Sequence, residues 1–391
     1  MILSDVCEFI VDCPHSTAPD EGKGYPLIRT PNVGKGRLDL NGVHRVSESV
    51  YKQRIQRGAP RANDLIFARE APAGNVALVQ ENQTVCLGQR TVLIRPNVQK
   101  VNPQYLVYYL LSPKPQYELL GTANGATVAH VNLPAIRNLK IELPEKSVQD
   151  KIGTILVTYD DLIENNQKQI KLLEEAAQRL YKEWFVDFRF PGHENTKIVD
   201  GVPEGWSKST VGNICKLRKV VITPDKIESN TPYIGLEHMP RNDICLSTWG
   251  KSEEINSNKF IYLKKDVLFG KIRPYFHKVG FALNDGITST DTMVMVADQN
   301  LWGLLLVTVS SDAFVDFSYQ NCKEGAKMPR ADWKQMEKYA IMIADQATQK
   351  LFEQEILVIT NKISALAFQC RSLREARDRM LPKLMGGEVE V

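Results

Sequence analysis

The sequence predicts an α+β protein in which two pseudo-symmetric globular domains are joined by two long antiparallel coiled-coil helices. Three observations carry that prediction. The 391-residue chain repeats itself at an offset of about 200 residues. Each copy ends in a long run of apolar residues at heptad spacing. Each copy also contains short apolar runs of strand type bounded by turn formers. A period this long is a duplicated domain rather than a solenoid repeat. It divides the chain into a first globular domain, 1–145, a long helix, 146–190, a second globular domain, 191–344, and a second helix with its tail, 345–391.

The repeat is clearest at the end of each copy. Residues 125–186 and 325–386 align without a gap: Gly125-Ala126 matches Gly325-Ala326, Gln149 matches Gln349, and Glu175, Ala176 and Arg179 match Glu375, Ala376 and Arg379. Upstream the offset drifts. Pro26-Leu27-Ile28 matches Pro232-Tyr233-Ile234, and Asp64-Leu65-Ile66-Phe67 matches Asp266-Val267-Leu268-Phe269.

The helices follow from spacing. Ile152, Leu156, Tyr159, Ile163, Asn166, Ile170, Leu173, Ala177, Leu180 and Trp184 alternate steps of four and three. Phe352, Ile356, Ile359, Ile363, Leu366, Cys370, Leu373, Arg377, Met380 and Leu384 repeat the pattern. These are a/d seams. The run 148–186 has no proline and one glycine, Gly153, and a helix of that length extends roughly 55–60 Å. An apolar seam needs a partner, and the simplest is the other seam. A two-fold relation between the halves makes the pair antiparallel, although parallel pairing also satisfies the heptads. Asn166 is the polar seam position suited to fixing register. Leu172, Tyr181 and Phe185 lie off the seam, available to a neighbouring domain or to a partner.

Composition places the chain among ordinary globular proteins, with 8% aromatic and 24% charged residues. The seven cysteines form no CxxC pair, so neither a disulfide framework nor a zinc site is expected. Residues 1–10 carry two acids and no basic region, and the apolar run Leu301–Val309 is too short to span a bilayer. The expected location is the cytosol.

The net charge of +3 conceals segregation. Residues 23–140 contain 16 Lys/Arg against 6 Asp/Glu, a net of +10, whereas 141–200 contain 8 against 12. Residues 208–338 contain 18 against 15. A basic domain beside an acidic connector points to a polyanion. The basic and amide residues cluster in three loops per copy. The first is Arg29-Thr30-Pro31-Asn32-Val33-Gly34-Lys35-Gly36-Arg37, matched by Glu237-His238-Met239-Pro240-Arg241-Asn242. The second follows each Asp-led strand: Ala68-Arg69-Glu70-Ala71-Pro72-Ala73-Gly74-Asn75 against Gly270-Lys271-Ile272-Arg273-Pro274-Tyr275-Phe276-His277-Lys278. The third is Thr122–Thr127 against Lys323–Arg330. Equivalent loops keep their frame and change their polar residues, as a reader with two different targets requires.

On these residues the chain resembles the specificity subunit of type I restriction-modification systems. The resemblance rests on Asp64-Leu65-Ile66-Phe67-Ala68-Arg69 and its copy Asp266 to Pro274, and on Gly125-Ala126-Thr127 leading to Leu139-Lys140-Ile141-Glu142-Leu143-Pro144. It also rests on Pro203-Glu204-Gly205-Trp206 and on the tail Met380-Leu381-Pro382-Lys383-Leu384-Met385-Gly386-Gly387. It covers essentially the whole chain. The first half opens at Met1-Ile2-Leu3-Ser4-Asp5-Val6-Cys7, matching 211–215, with no counterpart of the Pro203–Trp206 opener.

The resemblance implies two target-recognition domains, each reading half of a bipartite DNA site, and helices that set the spacer and dock methyltransferase subunits. The implied partners are double-stranded DNA, two methyltransferase subunits and, through the complex, restriction subunits, with no membrane. No cofactor is implied in this chain, with S-adenosylmethionine, ATP and magnesium expected in partner subunits. A methylation-only complex and a non-catalytic DNA-binding scaffold are the alternatives.

The residues expected to contact DNA are Arg29, Asn32, Lys35, Arg37, Arg69 and Asn124 in the first domain. In the second they are His238, Arg241, Lys271, Arg273, His277, Lys327 and Arg330. Guanidinium, amide and amine donors are the groups that pair with base edges and phosphates.

Enzyme readings find little purchase. Asn102-Pro103-Gln104-Tyr105 approximates an adenine methyltransferase loop but has Gln for the second proline, and it suits a helix N-terminus with proline at the first position. Gly250-Lys251-Ser252 lacks the leading glycine of a phosphate loop, where Cys245 stands. The acids of Pro19-Asp20-Glu21-Gly22-Lys23 are adjacent rather than convergent, and the six histidines are isolated. No catalytic or metal-ligating residue is assigned.

Overall fold

A computed structural model describes residues 1–121, 130–253, 255–298, 300–322 and 328–391. It contains both helices and strands, folded as two compact units: Met1–Glu164 with Ser372–Val391, and Asn165–Arg371.

In the first unit β1 (Cys7–Asp12), β2 (Tyr25–Ile28), β3 (Gly36–Arg37) and β4 (Arg45–Val46) precede α1 (Glu48–Arg54). Then come β5 (Leu65–Ala68), β6 (Val76–Leu78), β7 (Cys86–Leu87) and β8 (Thr91–Pro96). The helices α2 (Pro103–Leu111), α3 (Pro113–Gly121), α4 (Leu133–Arg137) and α5 (Lys146–Tyr181) follow. The main sheet has the order β1-β8-β5-β6-β3, and a second runs β4-β2-β7.

Central β5 shows why a short apolar run suffices. Successive side chains point to opposite faces. Leu65 and Phe67 enter the core under α2, with Tyr105, Leu106 and Leu156. Ile66 and Ala68 enter a separate core with Ile28, Val33 and Leu87. A strand buried on both faces is apolar throughout. Its leading Asp64 is 1% exposed and accepts from Arg95 Nε at 2.8 Å and Nη2 at 2.7 Å.

The second unit repeats this plan. Its first strands are β9 (Ile198–Val199), β10 (Val202–Pro203) and β11 (Ser207–Thr210), before α6 (Val211–Ile214). Strands β12 (Lys216–Leu217), β13 (Val221–Ile222), β14 (Tyr233–Ile234), β15 (Cys245–Leu246), β16 (Lys259–Tyr262) and β17 (Val267–Gly270) follow. Next are β18 (Val279–Ala282), β19 (Gly286–Thr288) and β20 (Thr292–Val296). Then come α7 (Trp302–Val309), α8 (Asp312–Gln320), α9 (Trp333–Met336), β21 (Ala340–Ile343) and α10 (Gln346–Met385). The main sheet order β12-β20-β17-β18-β15 matches the first unit strand for strand, including the parallel last pair. Val267 and Phe269 of β17 point into one core and Leu268 into another. Asp266 accepts from Arg218 Nε at 2.8 Å. The apolar run at 301–309 is α7, with residues 303–309 wholly inside.

Each unit contains segments of both long helices, running antiparallel. In the first, Lys151 Nζ donates to Val391 O at 3.0 Å, and further along Arg377 pairs with Asp160. Seam residues Ile152, Leu156 and Leu384 share its core. Gly153 lets α5 close on α2: a Cβ there would stand 3.0 Å from Tyr105 N.

In the second, Asn166 Nδ2 meets Gln369 Oε1 at 3.4 Å, and the Trp184 ring lies 5.5 Å from that of Phe352. Ile356 and Ile363 are buried with Ala177, while Ile170, Leu173 and Ile359 pack against them half-buried. Leu366 is buried there as well. Past Tyr181, α5 ends in a π-helical turn, Lys182–Val186. Phe185 sits in the core against Trp206, and Tyr181 packs beside it. Leu172 is left exposed.

Two carboxylates of the long helices satisfy backbone donors of the second unit. Glu353 accepts from Gly303 N at 2.6 Å and Leu304 N at 2.9 Å, at the start of α7. Glu174 accepts from Ile244 N at 2.9 Å and Cys245 N at 3.1 Å, at the start of β15. Burial, with Asp243 adding to it, pushes the Glu174 carboxyl up to about 8, against the pull of those two N–H groups and Lys171.

Candidate nucleic-acid interface

In each unit the loop preceding the last strand of the main-sheet order, β3 or β15, adjoins the loop that follows the Asp-led strand. In the first unit Thr30 Oγ1 donates to Ala71 O at 3.2 Å, and Asn75 Nδ2 to Val33 O at 2.8 Å. In the second Asn242 N donates to His277 O at 3.1 Å, and Lys278 Nζ donates to Leu236 O. The shared strand order delivers both loops to one place.

Placement divides the first unit's residues. Lys35 is exposed and Arg29 half-buried. Lys35 borders a cavity of about 220 Å³ together with Tyr108 and Arg377. Three residues expected to contact DNA have side-chain partners within the unit. Asn32 is 7% exposed, with Oδ1 accepting from Arg29 N at 3.1 Å and Nδ2 donating to Asp39 O at 3.2 Å, which fixes the turn. Arg37 pairs with Asp161 on α5. Arg69 is 9% exposed. Its Nη1 donates to Asp12 at 2.6 Å and its Nε to Val131 O at 2.9 Å, and its Nη2 lies 2.8 Å from His130 Nε2. His130 in turn bonds Glu70 at 2.6 Å. So held, the guanidinium braces the loop against the rest of the unit. Asn124 lies outside the described residues.

The second unit gathers its cations. Arg241 is exposed, its guanidinium carbon 3.9 Å from the centroid of Phe276, and that of Arg273 lies 5.8 Å from the same ring. Arg330 is exposed, bridges to Ile272 and pairs with Asp291. Lys271 is half-buried, donates to Thr290 O at 2.7 Å, and has its pKa lowered by that burial. His277 is turned inward, Nε2 at 2.8 Å from Ser310 O and Nδ1 at 3.3 Å from Asp312. His238 Nδ1 accepts from Gly235 N at 3.0 Å, which holds its loop. Lys327 lies outside the described residues. Charge counting missed the aromatic members Tyr275, Phe276 and Tyr319. The cue for Tyr275 and Phe276 was the Pro-Tyr-Phe string inside a turn; Tyr319, on α8, carried none.

The methyltransferase-like string resolves as expected from its helix-start reading. Asn102 caps α2, accepting from Tyr105 N at 3.0 Å, with Pro103 first in the helix. Asp20 and Glu21 accept from backbone N–H groups of Gly22, Arg45 and Ser47 and so build a turn.

Paired sets of cationic loops on duplicated scaffolds define a protein that recognises nucleic acid. Residues 1–175 match the family described as the type I restriction modification DNA specificity domain. Over 381 residues the chain is 26% identical to the type I restriction enzyme MjaIX specificity subunit of Methanocaldococcus jannaschii, covering 90% of this chain and 83% of that protein. Over 191 residues it is 26% identical to the EcoBI specificity subunit of Escherichia coli, covering 46% of this chain and 39% of that one. The S subunit of a type I restriction-modification system from M. genitalium shares the fold, with a TM-score of 0.57 at 14% identity over 98% of this chain and 95% of that chain. Residues 1–175 carry that specificity domain, and along its length the chain is similar to type I restriction enzyme specificity subunits. No helix among the described residues is long and apolar enough to cross a membrane.

Proposed function

We propose that this chain reads a bipartite, asymmetric DNA site, each globular domain contacting one half through its loops. The observation that carries this reading is the pair of sheets with one strand order and unlike loops. The proposed domains are 1–145 and 191–344, with 146–190 and 345–391 as a coiled-coil spacer that fixes the separation of the half-sites and docks two methyltransferase subunits. Restriction subunits join through that complex, and S-adenosylmethionine, ATP and magnesium belong to the partners.

Arg241, Arg273 and Arg330 contact the second half-site and Lys35 and Arg29 the first, with bidentate arginine–guanine contacts discriminating by about 1–3 kcal/mol each. Asn32, Arg37, Arg69, His238 and His277 hold those loops in shape.

The test is to purify the chain with its cognate methyltransferase subunit and map N6-methyladenine across host DNA. A two-part motif with a fixed gap, lost on deletion of this chain, is the expected result. A motif unchanged by the deletion would refute the assignment.

A further inference from the structure

We propose that Tyr275 is a specificity-determining residue that reads the 5-methyl group of a thymine in the second half-site. The inference rests on the DNA-reading role proposed above and adds a residue and a base to it.

The backbone is the first observation. Pro274–Phe276 form a single 3-10 turn with left-handed residues on both sides, Arg273 at φ 51° and His277 at φ 51°; the adjoining loop holds Asn242 at φ 62°. Left-handed conformations are unfavourable for residues with a Cβ, and they persist where surrounding contacts over-determine them, commonly at functional sites. Those contacts are present. Arg273 N donates to Pro329 O at 2.8 Å, Asn242 N to His277 O at 3.1 Å, and His277 Nε2 lies 2.8 Å from Ser310 O. Pro274 is buried.

The second observation is what this rigid turn presents. Tyr275 and Tyr319 are each 46% exposed, with ring centroids 5.2 Å apart and edge-on. Phe276 supports Tyr275 at 4.8 Å and carries the Arg241 and Arg273 guanidiniums above its own ring. An apolar edge is thus held among cations, which favours a polyanion over an apolar protein surface as its partner. In the major groove of DNA the thymine methyl is the apolar group that a base pair offers, and aromatic side chains meet it. The equivalent loop of the first unit, 68–75, has no aromatic residue and so offers no counterpart of this contact.

The test uses the intact complex with methyltransferase subunits and the motif it methylates. Each thymine of the second half-site is replaced in turn by deoxyuridine, which lacks only the methyl, and competition binding is measured for the wild type and for Tyr275→Ala. One position is expected to weaken wild-type binding about fourfold, the value of one buried methyl. Tyr275→Ala should bind thymine and uracil equally there and keep wild-type behaviour at the first half-site. Tyr275→Phe should keep the thymine preference, which separates the contact from a folding defect. Undiminished uracil sensitivity in Tyr275→Ala, or a second half-site without a T·A pair, overturns this inference alone. A wild-type complex with no motif dependent on this chain overturns the DNA-reading proposal as well.

Discussion

Replacing Glu174 with glutamine should favour the second unit increasingly as the pH rises from mild acid to mild alkali. The carboxyl is 6% exposed and its pKa stands at about 8, raised from an ordinary 4.5 chiefly by burial, with Asp243 and Cys245 close by and Lys171 opposing. An acid whose folded pKa is raised holds its proton in the folded state and loses it in the unfolded one. Stability therefore falls as pH rises between about 4.5 and 8, by up to ~1.4 kcal/mol per unit, and the full penalty is present above 8. Glutamine keeps an oxygen for Ile244 N and Cys245 N and carries no charge at any pH. From pH 6 to pH 9 the wild type should lose about 2.5 kcal/mol relative to Glu174→Gln. For a unit of this size that is roughly 5–10 °C in Tm. All five tryptophans, at 184, 206, 249, 302 and 333, lie within Asn165–Arg371, so intrinsic fluorescence follows this unit alone. A difference between the two proteins that is the same at pH 6 and pH 9 would refute the argument.

Ile356→Ala opens a cavity in a fully buried site and should destabilise the second unit by about 2–5 kcal/mol, read by the same fluorescence in urea. Asp266→Ala strands Arg218 and the Leu263 N–H, and about 3 kcal/mol should be lost, with no change in the methylated motif of whatever protein remains folded. Arg273→Ala should relax or abolish one half-site and leave the other half's preference intact; equal loss on all DNA would make Arg273 a phosphate contact. Inserting one heptad into each long helix should lengthen the spacer by about three base pairs, since seven residues add roughly 10 Å, and methylation mapping would show an unchanged gap if the helices do not set it.

What could be read from sequence was what is decided locally. Heptad spacing gave the long helices because a seam's periodicity is set by helix geometry alone. The Asp-led strands were visible because β5 and β17 are buried on both faces and admit little but apolar residues. Asn102 was recognisable as a cap because its partner is three residues away. The role of an arginine was not visible, since that depends on partners far along the chain. Arg69 and Arg273 follow equivalent strands, yet Arg69 meets Asp12 and His130, 57 and 61 residues distant, while Arg273 stacks above Phe276. The first domain's charge excess pointed to a polyanion but did not say which residues face it, for the same reason. Arg54 is 4% exposed and donates to Pro14 O and Ser16 O, and Arg95 serves Asp64, so part of that positive charge never faces a ligand. The seam position Arg377 likewise pairs with Asp160, which sits off the seam on the other helix and could not be told from heptad spacing.

Comparison of the two copies shows which constraint the duplication preserves. Position 153 of the first copy aligns with 353 of the second. Gly153 lets α5 touch the start of α2, where Gln149 Oε1 accepts from Asn102 N at 3.0 Å. In the second copy Glu353 itself reaches the start of α7, Gln349 donates to that carboxylate, and the small residue has moved to Gly303 on the opposing helix. Likewise Asp64 and Asp266 keep the same place, but Arg95 comes from β8 and Arg218 from the end of β12. Buried backbone donors and buried carboxylates must be satisfied in both copies, and different side chains can meet the same requirement. Loops over a ligand carry no such obligation, so their residues are free to diverge with the target. Substitutions in the frame should therefore act through stability on both half-sites together, and substitutions at Tyr275 or Arg273 on one half-site alone.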